Sequence, residues 1–213
     1  MHRITALKPQ RRGPQRVNVY LDGKYAFALD ATLAAPLEVG QTLSPNDEAV
    51  LHQRDAGEVA YTKVLGFLSY RPRSSAEVAT YLKKRQVPAE TIDTVIDRLQ
   101  RAGLLDDDAF ARYWVENREQ FRPRGARALR SELRRKGVPP TAVEKALEGI
   151  DEAESAYRAA GSRVRRLSHL DYQAFRRRLG GFLQRRGFAY DVVRETVERL
   201  WHEWQEVKAE ELL

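Results

Sequence analysis

The sequence predicts a mainly α protein: an elongated, curved array of three tandem three-helix repeats, preceded by a small N-terminal domain with a β-hairpin. Three observations predict it. An eight-residue motif recurs at intervals of about fifty residues, a helical apolar pattern follows each copy, and an alternating apolar pattern broken by Asp22-Gly23 stands ahead of them. The copies are Tyr81-Leu82-Lys83-Lys84-Arg85-Gln86-Val87-Pro88, Glu132-Leu133-Arg134-Arg135-Lys136-Gly137-Val138-Pro139 and Phe182-Leu183-Gln184-Arg185-Arg186-Gly187-Phe188-Ala189. The runs behind them carry Ile92, Val95, Ile96 and Leu99; Val143, Ala146, Leu147 and Ile150; and Val193, Val197 and Leu200, with Thr196 breaking the last. A period of this size marks small helical units stacked in series, and such arrays present extended surfaces.

In chain order, residues 1–16 are basic and interrupted by Pro9, Gly13 and Pro14, which predicts a flexible arm. Residues 17–57 form the N-terminal domain. Val17 to Leu29 alternates around Asp22-Gly23, a dipeptide suited to the positive φ values of a type I′ turn. A lone hairpin is marginal in water, so Thr42-Leu43-Ser44 or the first helix of the array must cover it. Ala31–Val39 reads as a short helix ended by Gly40, and Ser44-Pro45 as a capped helix start. The repeats follow at 58–105, 106–151 and 152–204, with a tail at 205–213. Tyr70-Arg71-Pro72-Arg73 breaks the first repeat and Phe121-Arg122-Pro123-Arg124 the second, because proline keeps the preceding residue out of the α region. Gly125 stands where Ser74 stood, a weaker cap. Repeat 3 has Ser168-His169-Leu170-Asp171-Tyr172 instead of the corner. Leu104, Leu105, Phe110 and Trp114 are expected to pack repeats together.

Composition narrows the function. The chain has 213 residues, no cysteine and a net charge of +7, so disulfides and thiol chemistry are excluded. No run of eighteen apolar residues occurs and the start lacks a secretory pattern, so the expected compartment is the cytoplasm. Between Arg158 and Arg186 stand nine arginines and one acid, Asp171. Such uncompensated charge raises self-repulsion and points to an acidic polymer as partner. An amphipathic membrane-surface helix would need a wide apolar face, which these stretches lack.

The triple repeat resembles the RecX family. So do the Arg-Pro-Arg corners, Gly103-Leu104-Leu105-Asp106 and Phe110-Ala111-Arg112-Tyr113-Trp114-Val115-Glu116-Asn117-Arg118; the resemblance covers about residues 58–204. It implies a non-enzymatic regulator that binds the RecA filament on single-stranded DNA in its groove; a monomer is the expected state. Such a regulator inhibits RecA's recombinase, ATPase and co-protease activities, and so modulates DNA repair and the SOS response. Direct binding of single- and double-stranded DNA is also implied. The rival class is a general architectural or transcriptional DNA-binding protein that does not act through RecA.

The candidate partner- and DNA-binding residues are all cations. Arg71, Arg73, Arg122 and Arg124 flank the corner prolines, against the alternative that they cap or pair locally; Arg127 and Arg130 extend the second corner. Arg134, Arg135, Lys136, Arg185 and Arg186 end second helices, where cations also complement the helix dipole. Arg163, Arg165, Arg166, Arg176, Arg177 and Arg178 exceed what capping needs, although consecutive helical residues diverge by about 100° and cannot all face one way. No catalytic group, metal site or cofactor is expected. Asp106-Asp107-Asp108 reads as a helix start, not as a metal cluster, and Trp114, Trp201 and Trp204 as core anchors.

Overall fold

The structure, a computed structural model, describes residues 1–11, 13–167 and 169–210. Its elements are β1 (His2–Gln10), β2 (Gly13–Leu21), β3 (Lys24–Asp30), α1 (Ala31–Ala34), β4 (Thr42–Leu43), α2 (Pro45–Leu68), α3 (Ser75–Lys83), α4 (Ala89–Arg101), α5 (Asp107–Phe121), α6 (Ala126–Arg135), α7 (Pro140–Leu147), α8 (Glu152–Leu167), α9 (Tyr172–Arg185) and α10 (Tyr190–Glu210). The chain divides into two compact units, Met1–Arg73 with Glu77–Leu105, and Ser74–Ala76 with Asp106–Leu213.

In the first unit, four antiparallel strands lie in the order β3-β2-β1-β4. The hairpin turns at Asp22 (φ 50°) and Gly23 (φ 82°), as the dipeptide predicts. Residues 1–16 are not the expected flexible arm. His2–Gln10 pairs with β2 and buries Ile4, so the hairpin's third strand is β1, while Thr42–Leu43 pairs with the far edge of β1. Pro9 misled because it normally breaks a sheet. β4 reaches only His2 and Arg3, so Pro9 lies on a free edge beside a register shift, where a missing N–H costs nothing. Arg12 of the expected arm lies outside the described residues.

Ile4, Val19, Leu21, Phe27, Leu29 and Leu43 form one sheet face, covered by Ala34, Leu37 and Leu51. Arg16 joins sheet to helix: its guanidinium holds Asp55 of α2 at 2.5 and 2.9 Å, and Asp55 also accepts from the Asp30 N–H at 2.7 Å. Helix α1 stops at Ala34, not Val39: Ala35 still keeps helical angles and bonds to Ala31, but Pro36 has no N–H to carry the ladder further. Ser44 caps α2 in a reciprocal box with Asp47. From there α2 runs unbroken through Leu68, serving both the sheet and the first repeat, whose core is Ala60, Val64, Val78, Leu82, Ile92, Val95, Leu99 and Leu105.

The second unit holds two further cores. Phe110, Ala111, Val115, Leu129, Leu133, Val138, Ala142, Val143 and Leu147 belong to repeat 2; Ala156, Ala160, Phe175, Leu179, Leu183, Phe188, Val193, Val197 and Leu200 belong to repeat 3. Trp114 and Trp201 pack against these cores as expected, whereas Leu104 is half exposed. Helix α10 continues to Glu210 through most of the expected tail; residues 211–213, and Ser168 of the third repeat's loop, lie outside the described residues.

Candidate nucleic-acid interface

The recurring motif is first a way of ending a helix. After α3, α6 and α9 the chain passes through Gln86 (φ 59°), Gly137 (φ 70°) and Gly187 (φ 87°). Each of these N–H groups bonds back to Lys83, Arg134 or Gln184, and the next residue's N–H to Leu82, Leu133 or Leu183. This is the Schellman pattern, and it turns Val87, Val138 and Phe188 inward. Cations are favourable at such helix ends, which explains Arg134, Arg135 and Arg185 without a ligand. Arg135 donates to the Ser131 carbonyl, Arg134 is exposed beside Glu144, and Lys136 lies 4.4 Å over the Trp114 ring.

The corner arginines divide by repeat. In repeat 1, Arg71 forks onto Glu77 at 2.8 and 3.2 Å, the local pairing weighed above. Arg73 sits 4.0 Å over Phe67, which stacks on Tyr81; burial and the charge of Arg71 push its pKa down. In repeat 2, buried Glu132 accepts from Arg118 and Trp114, both at 2.8 Å, and forms an ion pair with Arg124 at 3.1 Å. Burial opposes its charge, but the hydrogen bonds from Arg118 and Trp114 and the nearby guanidinium charges outweigh that, holding the carboxyl below the ordinary glutamate value. Arg130 forks onto Glu144. Arg122 and Arg127 remain exposed.

In repeat 3 Arg158 pairs with Glu119 at 2.6 Å and Arg199 with Glu203 at 2.8 Å, while five other arginines gather where α8 meets α9. Asp171 caps α9 through the Ala174 N–H, and Phe175, Leu179 and Leu183 bury one stripe of it. The stripe forces the three consecutive arginines apart. Arg177 and Arg178 line a cavity of about 410 Å³ between α8 and α9, with Arg163, Arg166 and Arg185. Its apolar lining is Leu167, Leu179 and Phe182, and among the described residues no acid lines it. Arg176 turns toward α10, into a second pocket that Arg177 also lines, with Tyr172, Gln184 and Glu198. Arg165 is exposed on α8. Arg163 and Arg186 lie 4.6 and 4.7 Å over the Phe182 ring, a contact that holds cations in place without neutralising them.

Arg186 also links repeats 2 and 3. Its guanidinium donates to the Pro123 carbonyl at 2.9 Å, and its own carbonyl accepts from the Gly125 N–H at 3.1 Å. Burial, then the charges of Arg122, Arg124 and Arg163, lowers its pKa. The second corner and repeat 3 therefore share one cationic cluster. Such a surface can bind phosphate groups or carboxylates bidentately.

Sequence reasoning missed two side chains that arrange this charge, Glu132 and Phe182. The signal was present: the first motif position is Tyr81, Glu132 and Phe182 in turn, an aromatic cradle, a carboxylate, then a cradle again. Asp106 caps α5 by accepting from the Asp108 and Ala109 N–H groups, and Asp108 pairs with Lys145 at 2.7 Å. Among the described residues no group of three or more acids and histidines could hold a metal ion, and no helix is long and apolar enough to cross a membrane.

Residues 60–99, 106–147 and 150–197 match the models of the first, second and third three-helix domains of RecX, and residues 2–43 match that of the regulatory protein RecX N-terminal domain. The chain belongs to the RecX family. It is 30% identical to the regulatory protein RecX of Bacillus pumilus over 215 residues, covering 99% of this chain and 82% of that one. The RecX of Streptomyces coelicolor is 36% identical over 166 residues, 75% of this chain and 88% of the relative. A crystal structure of regulatory protein RecX superposes with a TM-score of 0.80 at 27% identity, covering 93% of this chain and all of that one. RecX from Lactobacillus salivarius, at 24% identity and a TM-score of 0.64 over 69% of this chain and 97% of that one, supports the fold. The chain is thus a RecX-family regulatory protein of mainly helical, three-repeat architecture.

Proposed function

We propose that this RecX-family protein binds the RecA filament on single-stranded DNA, along its groove, and inhibits filament activity as a monomer in the cytoplasm. The observation that carries this reading is the arginine-lined cavity of repeat 3, continuous in charge with the second corner and free of lining acids. Several weak contacts repeated along one chain gain through effective concentration, so an assembled filament is favoured over free subunits. Inhibition then follows from linkage: a ligand that fits one arrangement of neighbouring protomers better than another shifts the filament toward it.

Single-stranded-DNA-dependent ATP hydrolysis by RecA tests this. The protein at a small fraction of RecA, with DNA in excess, is expected to slow hydrolysis. Inhibition that appears only once the protein can coat all the DNA would instead favour a general DNA-binding protein.

A further inference from the structure

The two proline corners carry a residue that the cations do not explain. Tyr70 precedes Arg71-Pro72-Arg73 and Phe121 precedes Arg122-Pro123-Arg124, one repeat apart. They are the two most exposed large aromatic side chains among the described residues, at 86% and 72%. A single exposed apolar side chain needs no explanation. Two rings at equivalent corners, each followed by the same Arg-Pro-Arg, do. The neighbouring rings Phe67 and Trp114 behave differently: each is partly buried against its repeat's core and holds a guanidinium, of Arg73 or Arg118. Both repeats thus place one aromatic inside, under an arginine, and a second outside.

We propose that Tyr70 and Phe121 are base-stacking platforms, each taking the face of an unpaired nucleobase while arginine beside it takes the adjoining phosphate. This deepens the DNA-contacting part of the proposed function by assigning the residues that distinguish single strands from duplex. The charge around the ring selects this occupant. Phe121 adjoins exposed Arg122, which acts with Arg124 and Arg163 on Arg186. A nucleotide offers an aromatic face and an anion a fixed, short distance apart. A duplex keeps its base faces buried in its own stack. Stacking accepts any base, since every base has a π face. The first corner is weaker, because Glu77 occupies Arg71.

The test is fluorescence anisotropy with three labelled probes of equal length: an oligo-dT strand, an abasic strand with the same phosphates, and a duplex. Wild-type protein is expected to prefer oligo-dT to the abasic strand. Phe121→Ala is expected to weaken oligo-dT binding about tenfold, within the range for losing one stacked base. Tyr70→Ala should weaken it less, and both should leave abasic and duplex binding unchanged. Phe121→Tyr keeps the affinity and Phe121→Leu loses it, while unfolding midpoints stay at the wild-type value because the side chain is exposed. Equal losses on all three probes, or a Phe121→Leu protein that binds oligo-dT normally, would overturn the proposal. So would unchanged DNA binding with lost action on RecA, which would mark the rings as protein anchors. No RecA is present in the binding assay, so a wild-type protein that fails to slow RecA leaves this inference standing and sinks only the proposed function.

Discussion

Gly125 gives the sharpest test of how repeats 2 and 3 are joined. It caps α6 at φ −69° and ψ 157°, a conformation open to any L residue, and makes no side-chain cap bond. Considered alone, Gly125→Ala should stabilise the protein by about 0.4–1 kcal/mol, by restricting the unfolded chain. The neighbourhood reverses the sign. A Cβ at this position would fall well inside contact distance of the Gly187 carbonyl and 2.5 Å from the Phe188 Cα. All of these are backbone atoms, so no rotamer change relieves the overlap, and the end of α9 must withdraw. Withdrawal stretches the Gly125 N–H bond to Arg186 O and the Arg186 bond to Pro123 O. Overpacking costs about 1–3 kcal/mol, and two weakened hydrogen bonds about 1 kcal/mol each. The expected loss is therefore about 3–5 kcal/mol. Urea unfolding followed by tryptophan fluorescence measures it, since Trp114, Trp201 and Trp204 all lie in the second unit. Gly161→Ala in α8 is the control: nothing lies within 4 Å of its Cβ, so it should stabilise by about 1 kcal/mol. A Gly125→Ala protein as stable as wild type would refute the close-packed junction.

Glu132→Gln should destabilise the second unit by about 3 kcal/mol, because it leaves Arg118 and Arg124 without their carboxylate. The wild-type carboxyl is held below its ordinary value of 4.5, so its contribution is complete above that pH and drains as pH falls through the folded value. Acid titration of stability should show that component in wild type and not in Glu132→Gln. Gln86→Gly should raise the thermal midpoint, worth about 0.5–1 kcal/mol, because Gln86 is exposed and holds φ 59° where the other two repeats have glycine; a lowered midpoint would mean the side chain contributes contacts of its own. Replacing Arg176, Arg177 and Arg178 by Ala should weaken single-strand binding and flatten its salt dependence. With two of the three lining the cavity, the log–log slope should shrink by roughly 1.4, at about 0.7 per phosphate. An unchanged slope would make them a solvated face.

The repeats were legible because their helix-ending motif carries both its chemistry and its register. Gly137 and Gly187 at positive φ, followed by inward Val138 and Phe188, need no tertiary information to be recognised. The hairpin was legible for the same reason, since Asp22-Gly23 demands its own turn. The strand β1 was not, because the tolerance of Pro9 depends on how far β4 extends, and that is set by pairing between distant segments. Local pattern likewise could not show that Arg71, Arg124 and Arg130 are taken by Glu77, Glu132 and Glu144. An arginine's availability depends on which carboxylates the fold brings within reach: Glu144 comes from α7 to Arg130 of α6, and Glu132 is shared between Arg124 and Arg118 of α5.

This separation between shared geometry and diverged charge is the logic of the molecule. The residues that end α3, α6 and α9 all solve one backbone problem, and they solve it alike. The first motif position is free of that constraint, and there the repeats part. Glu132 turns the second repeat's inner arginines into structure, fixing α5 against α6 at the cost of their availability. Phe182 does the opposite in the third repeat: an aromatic face orients Arg163 and Arg186 but cancels no charge, so the field of the neighbouring arginines persists outside the protein. A carboxylate at that position would satisfy the local geometry as well and would remove the charge the cavity presents. The presence of a ring there, with no acid lining the cavity beside it, is what a surface requires if its counter-charge is to come from a bound partner.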